Sequence, residues 1–453
     1  MAHPQASERG FLGTFLHAPV RGQLQCLKDA LIIAGADGAI TAIHPHDSPL
    51  ARTEAARLAA SGGLVRLDPG HFVLPGMVDL HVHAPQWPQL GMALDLPLQD
   101  WLQKYTFPLE ARYADTAFAA QVYESLVANL LANGTTTALY FGTIHLAATQ
   151  ILADVCLRRS QRALIGRVAM DNPGQCPDFY RDSSAAAAER ETREFIEYVR
   201  TMPGAAGLVH PVITPRFIPS CTDELLRRLG NLARESGCRV QTHCSESDWE
   251  HQYVLERCGR TDTAALDSFG LLSRRTVLAH GNFMSDADAA LAAARGAGVA
   301  HCPLSNVYFS DAVFPLRRML EAGVHVGLGT DIAGGASASL LENARQAIIS
   351  SRMLESGVDP RLGRAERRRP DSRIDALTAF WAATTGGGIA LDLPVGLFEK
   401  GYQFDACVID AAAAHGNLRV ADGDSPQTVL QKIIYEAARA DISQVWVANR
   451  RVI

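Results

Sequence analysis

Two histidines lie two positions apart in the segment DLHVH, at His81 and His83. On an extended strand, side chains at positions i and i+2 point to the same side, so both imidazoles can reach one metal ion. The pair alone is a weak indication, because strands also carry histidines for packing or at the surface. Other parts of the chain must supply the remaining ligands if this is a metal site.

Three later apolar runs each end in a side chain that could bind a metal or move a proton. His243 ends RVQTH, His280 ends TVLAH and Asp331 ends VGLGTD. In a barrel of parallel strands, such ends meet at one face, beside the end of DLHVH. His280 before Gly281 could instead be a turn residue, and Asp331 could cap the following helix. Their coincidence with the first pair favours a metal site.

The predicted ligands are three imidazoles and one carboxylate, from His81, His83, His243 and Asp331. This set suits Zn²⁺, and iron is an alternative because affinity depends on geometry and supply as well as on ligand type. A water would take the remaining position, and its pKa would fall from about 15.7 towards roughly 7. The ligand set therefore predicts hydrolytic chemistry at neutral pH.

Glu246 lies three residues after His243, in the segment HCSES. This position places it in the loop or first helical turn after the strand, where a carboxyl group could move a proton between water and a substrate nitrogen. Its alternative role is to complement the dipole of the next helix. Beside a metal we favour proton transfer, with His280 and Asp331 as the other catalytic residues.

The lysines of the chain provide a test for a second metal, which related barrels hold through a carbamylated lysine on a middle strand. The chain has only Lys28, Lys104, Lys400 and Lys432. None lies near the third to sixth predicted strands, so this bridging ligand cannot form. We therefore predict a mononuclear site.

Eight strand-like runs alternate with helix-like stretches, as in an α/β protein with a (β/α)₈ TIM barrel. Each run is short, apolar or β-branched, and ends in a polar residue. The runs are residues 77–81, 135–141, 162–169, 207–214, 239–243, 276–280, 298–302 and 324–331. Residues 222–236 are typical of the helices, with leucines on one face and Gly237 as a stop signal.

The two ends of the chain, residues 1–72 and 395–453, contain short extended runs separated by Gly, Asp and Asn turns. We expect them to combine into one small β-sandwich domain, with the barrel in residues 73–394.

Composition excludes several classes of protein. The chain of 453 residues has a formal net charge of −6, which gives no reason to expect a nucleic-acid partner. The basic run at 364–369, from Arg364 to Arg369, is interpreted as a solvated loop. Nine scattered cysteines without a C-x-x-C pair, and an N-terminal segment MAHPQASERGFLG without an apolar signal core, favour the cytoplasm. No run is long and apolar enough for a membrane span.

Several longer motifs carry a resemblance to a known family. They are PGMVDLHVHAPQWP (75–88), DLPLQDWLQKYTFPLE (95–110), TTTALYFGTIH (135–145), TPRFIPSC (214–221), QTHCSES (241–247), AHG (279–281), AHCPLSN (300–306) and GLGTDIAGG (327–335). On these motifs the chain resembles the amidohydrolase superfamily and, within it, the guanine deaminase family. H-x-H and G-T-D are common to the superfamily, whereas the second and fourth motifs are far more specific.

The resemblance implies one Zn²⁺ per subunit on the four ligands above, a homodimer, and contacts to a purine from Gln86, Arg216, Phe217 and His243. The physical chemistry agrees, since Gln86 follows the H-x-H segment and Arg216 leaves the fourth predicted strand. Phe217 offers a flat face to a planar base. Without the resemblance, these three residues would be interpreted as loop polarity, surface charge and core.

The implied reaction is hydrolytic deamination of guanine to xanthine and ammonia, a step of purine catabolism. An activated water attacks C2, Glu246 protonates the ring nitrogen and the departing amine, and His280 with Asp331 orients the water and accepts its proton. Leu304 departs from the family pattern, where asparagine is frequent.

Two alternatives remain open. The first is a deaminase or related hydrolase of another aminated heterocycle, such as a modified purine, a pyrimidine or a triazine. The second is a non-catalytic barrel that serves as an assembly partner, which the intact metal and proton-transfer residues disfavour.

Overall fold

The computed structural model describes residues 7–453, and its strands fall into two sheets. The strands are β1 (Arg9–Val20), β2 (Gln23–Ala34), β3 (Ile40–His44), β4 (Leu64–Arg66), β5 (His71–Pro75), β6 (Met77–His83), β7 (Thr135–Phe141), β8 (Arg162–Gly166), β9 (Val168–Ala169), β10 (Val209–Pro215), β11 (Arg239–Cys244), β12 (Thr276–His280), β13 (Gly298–His301), β14 (His325–Leu328), β15 (Ala406–Asp410), β16 (Ile442–Val447) and β17 (Arg450–Arg451). Residues 1–6, which belong to the predicted terminal domain and to the N-terminal segment without a signal, lie outside the described residues.

Most α-helices follow strands of the second sheet, whereas the first and the last helix lie between strands of the other sheet. The helices are α1 (Pro49–Ala60), α2 (Leu98–Trp101), α3 (Phe107–Ala111), α4 (Thr116–Ala132), α5 (Leu146–Arg158), α6 (Ala185–Thr201), α7 (Asp223–Ser236), α8 (Asp248–Cys258), α9 (Asp262–Ser268), α10 (Asp286–Arg295), α11 (Pro303–Ser305), α12 (Leu316–Glu321), α13 (Leu340–Ser356), α14 (Arg364–Arg367), α15 (Ala376–Ala383), α16 (Thr385–Leu391) and α17 (Pro426–Glu436). Two π-helical segments, Leu102–Thr106 and Asn306–Ser310, extend α2 and α11.

The second sheet is the barrel. Strands β6, β7, β8, β10, β11, β12, β13 and β14 are neighbours in chain order, and β9 pairs with β10. Two backbone hydrogen bonds join its first strand to the segment after its last. Asp331 N–H donates to the His81 carbonyl at 2.8 Å, and His83 N–H donates to the Ile332 carbonyl at 2.9 Å. The parallel sheet is thus nearly closed, and the predicted α/β TIM barrel is confirmed.

Local sequence explains these elements. Every residue of β7 is buried, as expected for a parallel strand covered by helices on one side and core on the other. Helix α7 buries the leucine face predicted for it. Its first turn is capped by Thr222, whose side chain accepts from Leu225 N–H, and it ends at Gly237 with φ of 65°, a left-handed conformation that glycine adopts without strain.

Four predicted runs differ from the observed strands by one or two residues at one or both ends, and two others differ more. Residues 162–169 are divided into β8 and β9 at Arg167, whose buried guanidinium turns out of the ladder towards Asp182 and Glu191. The run at 324–331 is a shorter strand, because the chain leaves the ladder after Leu328 and Asp331 takes φ of 49°. That departure places the Asp331 carboxylate beyond the strand end.

Both ends of the chain contribute to the other sheet, in which β17, β16, β15, β5, β1, β2 and β3 are neighbours in that order and β4 pairs with β1. Its core joins the ends directly, since the Phe11 ring stacks on Phe404 at 3.9 Å and meets Trp446 edge-on at 4.9 Å. Hydrogen bonds connect all these strands into one sheet. The two-layered sandwich and the boundaries at 72 and 395 therefore stay predictions.

The basic segment 364–369 is largely exposed, as predicted, but Arg364–Arg367 form a helical turn rather than an irregular loop. The Glu366 carboxylate closes this turn by accepting from Gly363 N–H at 3.0 Å. Among the helices of residues 7–453, none combines the length and the apolar character needed to cross a membrane.

Candidate active site

Six predicted side chains meet at the carboxyl ends of the barrel strands. They are His81, His83, His243, Glu246, His280 and Asp331, all of them buried. Their potential ligand atoms form three overlapping triads, each with all of its atoms within 4.8 Å of one another. The strand ends predicted from the sequence to converge are therefore brought together.

The four predicted metal ligands lie close together. His83 Nε2 lies 3.0 Å from His243 Nε2. Asp331 Oδ1 lies 3.1 Å from His81 Nε2 and 3.5 Å from His83 Nε2. Three imidazole nitrogens and one carboxylate oxygen thus face each other at the end of β6, which is the donor set expected for Zn²⁺.

The protonation of these imidazoles fits a metal. Burial, reinforced by neighbouring positive groups, lowers the pKa of His81, His83 and His243 well below the ordinary value. They are therefore neutral at physiological pH and can offer lone pairs. Both ring nitrogens of His81 are buried without a hydrogen-bond partner, which is costly unless a ligand such as a metal satisfies one of them.

Asp79 and Thr330 tie the first strand of the barrel to the last. The Asp79 carboxylate accepts from the backbone N–H groups of His81 at 3.2 Å and Thr330 at 2.9 Å, and from the Thr330 hydroxyl at 2.6 Å. Burial raises the pKa of Asp79 to about 7. The backbone on either side of the predicted metal ligands His81 and Asp331 is thereby fixed.

Glycine is required just after Asp331. A Cβ atom on Gly335 would lie 1.9 Å from the Thr330 carbonyl oxygen, so no larger residue fits the turn. This turn is closed by Gly335 N–H, which donates to the Asp331 carbonyl at 2.6 Å. The run GLGTDIAGG is thus explained by close packing around the carboxylate.

The imidazoles of His243 and His280 are each oriented by a hydrogen bond from Nδ1. His243 Nδ1 donates to the Arg216 carbonyl at 2.6 Å, which leaves Nε2 as the ligand atom. His280 Nδ1 donates to Asn306 Oδ1 at 3.0 Å, and its Nε2 lies 3.8 Å from Asp331 Oδ2. Burial lowers the pKa of His280, so its free nitrogen can accept a proton at neutral pH.

Glu246 lies in the loop after β11, with Oε1 3.7 Å from His280 Nε2. Burial, reinforced by the charge of Asp331, raises the pKa of Glu246 to about 8. Its backbone is held on both sides, because its N–H donates to Glu250 Oε2 at 2.7 Å and Asn282 Nδ2 donates to its carbonyl at 2.9 Å. A buried carboxyl group that is neutral at pH 7 can give a proton to a substrate.

A cavity opens onto this centre. The predicted contacts Gln86, Arg216 and Phe217 all line it, and its apolar wall comes from Leu98, Trp101, Leu102 and Phe309. Both π-helical segments contribute to this wall. A planar ring with a few polar atoms is the kind of ligand that such a lining accommodates.

Glu110 is the main site residue that our sequence reasoning did not single out. Its fully buried carboxylate accepts from Arg216 Nη1 at 2.7 Å and Nη2 at 3.2 Å, and from Gln86 Nε2 at 2.9 Å. Asp79 and Asn306 were missed as well. All three lie inside the quoted motifs, so motif membership was the available signal, but nothing local to the sequence assigns them a partner.

Comparison with known proteins identifies the family. The model of the amidohydrolase family matches residues 72–452. The probable guanine deaminase of Schizosaccharomyces pombe is 35% identical over 98% of this chain and 83% of its own length, and guanine deaminase of Homo sapiens is 34% identical over 98% and 96%. The crystal structure of guanine deaminase from C. acetobutylicum with bound guanine matches with a TM-score of 0.87 and 28% identity, over 99% of this chain and 100% of that one. The chain is therefore an enzyme of the amidohydrolase family, and within it belongs to the guanine deaminases.

Proposed function

We propose that the protein hydrolyses guanine to xanthine and ammonia with one zinc ion per subunit. The observation that carries the proposal is the meeting of three neutral imidazoles, a carboxylate and a protonated carboxyl group at the floor of a cavity lined by Gln86, Arg216 and Phe217. The membership of the chain in the guanine deaminase family supports guanine as the substrate.

His81, His83, His243 and Asp331 would hold the zinc ion. When bound, zinc supplies Lewis-acid activation, which brings the pKa of a water towards roughly 7. The absence of lysine from the barrel strands agrees with a single metal, since the four lysines lie on β2, α17, a π-helical segment and the loop before β15.

The proton transfers fall to Glu246 and His280. Glu246 is protonated at neutral pH, so it can deliver a proton to a ring nitrogen as water adds to C2 of guanine. His280 is neutral and its Nε2 has no hydrogen-bond partner, so it can accept a proton from the water. The Glu246 carboxylate then moves the proton of the new C2 hydroxyl to the amino group, so that ammonia leaves as the C2 carbonyl forms. The proton held by His280 returns to Glu246, whose Oε1 lies 3.7 Å from His280 Nε2, and both groups regain their starting states.

The cavity wall orients the base. Phe217 packs against His243 with ring centroids 6.1 Å apart, and so offers an aromatic face beside the metal ligands. Arg216 and Gln86 supply hydrogen-bond donors from the same wall. These contacts would hold the ring with its amino-bearing carbon towards Glu246.

Product formation tests the proposal. Zinc-loaded protein incubated with guanine is expected to release xanthine and ammonia in equal amounts, with activity removed by a chelator and restored by zinc. Protein that holds one metal yet forms neither product would overturn guanine as the substrate, and a panel of other aminated purines, pyrimidines and triazines would follow.

The catalytic role of Glu246 has its own test. Glu246→Gln keeps the shape of the side chain but cannot cycle a proton, so kcat is expected to fall by about 10²–10⁴ while zinc content stays at one per subunit. The surface variant Glu256→Gln on α8 is the matched control and should turn over normally. Unchanged kcat in Glu246→Gln would remove this residue from the mechanism.

The homodimer implied by the resemblance, and the cytoplasmic location favoured by the cysteine pattern and the N-terminal segment, belong to the same proposal. Sedimentation of the zinc-loaded protein at micromolar concentration tests the first, with a mass of twice the chain expected. Fractionation of cells tests the second.

A further inference from the structure

Glu110 connects the two polar residues of the cavity wall. It lies on α3, directly after the π-helical segment Leu102–Thr106, and its side chain is fully buried. Its two oxygens accept three hydrogen bonds, two from the Arg216 guanidinium and one from the Gln86 amide. Segments more than a hundred residues apart in the chain are thus joined through one carboxylate.

The first consequence concerns Arg216. The two hydrogen bonds to Glu110 are bidentate, which fixes the plane of the guanidinium as well as its position. The ring of Phe107 supports this group from one side, with the guanidinium carbon 5.0 Å from the ring centroid. Arginine has only donors, so the N–H groups that remain for the cavity are donors in a set direction.

The second consequence concerns Gln86, whose amide could in principle point either way. Its Nε2 donates to Glu110, and its Oε1 accepts from Ala333 N–H at 3.2 Å. The carbonyl oxygen is therefore engaged by the backbone through one of its two lone pairs, and the amide keeps its second N–H as a donor. The Glu110 acceptor and the Ala333 donor together select this orientation.

We infer that Glu110 sets the hydrogen-bond polarity of the recognition wall, the part of the cavity wall formed by Gln86 and Arg216, so that both residues present N–H donors and the enzyme selects rings by their acceptor atoms. This inference rests on the proposed function and adds a specificity-determining residue to it. A ring with a carbonyl oxygen at this wall pairs with the donors. A ring with an amino group in the same place brings N–H donors against the N–H donors of Arg216 and Gln86. The buried donors are then left without acceptors, which lowers the affinity for that ring.

The other role open to Glu110 is structural, as a buried ion pair that only stabilises the fold. The chain contains a matched pair for comparison at the junction of the barrel and the other sheet. There Asp405 accepts from Arg162 Nε at 3.1 Å and from Arg162 Nη2 at 3.2 Å, and both residues are buried. Asp405→Asn thus breaks a bidentate pair of the same kind away from the cavity.

The experiment compares the wild type, Glu110→Gln and Asp405→Asn, each zinc-loaded. Dissociation constants are measured by calorimetry for hypoxanthine, which has a carbonyl at C6, and adenine, which has an amino group there. The wild type is expected to bind hypoxanthine at least about tenfold more tightly than adenine. In Glu110→Gln this ratio should fall to within about threefold, because the new amide cannot accept all three bonds. Asp405→Asn should keep the wild-type ratio.

Two outcomes would overturn the inference. One is a wild type that binds adenine as tightly as hypoxanthine, which would mean that the N–H donors of the wall do not select the ring. The other is a Glu110→Gln protein that binds both bases more weakly by the same factor, which would assign Glu110 a structural role only.

Two further measurements keep these outcomes interpretable. Thermal unfolding and zinc analysis establish that each variant is folded, and if Glu110→Gln is not, Glu110→Asp replaces it. The shorter carboxylate keeps the charge but cannot reach both partners, so the ratio should again fall; an unchanged ratio counts against the inference. Guanine turnover by the wild type is recorded separately, so a failure of the proposed function is recognised by the absence of xanthine, whatever the binding ratio.

Discussion

Replacing the buried acid Glu246 by glutamine is expected to stabilise the metal-free protein while abolishing turnover. Burial and the charge of Asp331 raise the pKa of Glu246 from 4.5 to about 8. In the unfolded chain the same group ionises near 4.5. Between these values, folding must protonate a group that prefers to be ionised, and stability is lost as the pH rises.

The magnitude follows from the two pKa values. The cost to folding is roughly 3 kcal/mol at pH 7 and about 0.8 kcal/mol at pH 5, from the ratio of the two binding polynomials. Glutamine is neutral at every pH and keeps the size of the side chain. Glu246→Gln should therefore be more stable than the wild type by these amounts, with most of the gain appearing between pH 5 and pH 7.

Urea unfolding in the presence of a chelator measures this difference. Unfolding midpoints and slopes are recorded for both proteins at pH 5 and pH 7, with exposed Glu256→Gln as the control expected to stay within about 0.5 kcal/mol of the wild type. If Glu246→Gln does not raise the free energy of unfolding at pH 7, or raises it equally at the two pH values, the reasoning from burial is refuted. If the rise in the free energy of unfolding is larger at pH 7 than at pH 5, the ionisable Glu246 lowers the stability of the fold at a position that activity requires.

Three other outcomes are expected. His81→Asn should lower bound zinc to less than about a tenth of wild type by metal analysis, since one of four ligands is lost, whereas the exposed His415→Asn should keep one zinc per subunit. Asp405→Asn should lower the free energy of unfolding by about 3–5 kcal/mol, because it leaves Arg162 charged and buried, yet kcat/KM for guanine should not change. Burial lowers the pKa of His17 to about 4, so this side chain is neutral in the folded protein near neutral pH. The unfolded chain binds the proton more readily, so the contribution of His17 to the free energy of unfolding is complete above pH 6.5 and is about 2 kcal/mol smaller at pH 5. His17→Phe should remove that loss in urea titrations, and an unchanged pH dependence would contradict the assignment.

The barrel could be predicted because its signals are local. Strands β7 and β12 begin and end at the predicted residues, since apolar runs bounded by glycine and polar residues leave little choice of register. The convergence of the predicted metal ligands followed from the same reasoning, because a parallel barrel gathers all carboxyl strand ends at one face. Six side chains that can bind a metal or transfer a proton lie at those ends, so few other positions for the site were possible.

The residues that were missed act through partners that are distant in the sequence. Glu110 acquires its role only when Arg216 and Gln86 arrive beside it, and Asp79 only when Thr330 does. A buried carboxylate is costly without partners, so its position in a sequence predicts that partners exist but not which they are. The end of β14 was misplaced for a related reason, because the turn at Asp331 is set by contacts with the first strand.

Arg216 links the proposed metal centre to the recognition wall, but through different atoms. Its carbonyl accepts from the ring and the backbone N–H of His243, at 2.6 Å and 3.2 Å, and its own N–H donates to the Ala169 carbonyl at 3.1 Å. Those bonds belong to the backbone and do not depend on the side chain at position 216. The guanidinium, in contrast, is held by Glu110 on the cavity side. Substrate recognition can therefore change through side chains at this strand end while the metal ligand keeps its orientation, which is a physical reason why one barrel can carry a constant metal centre and many different substrate pockets.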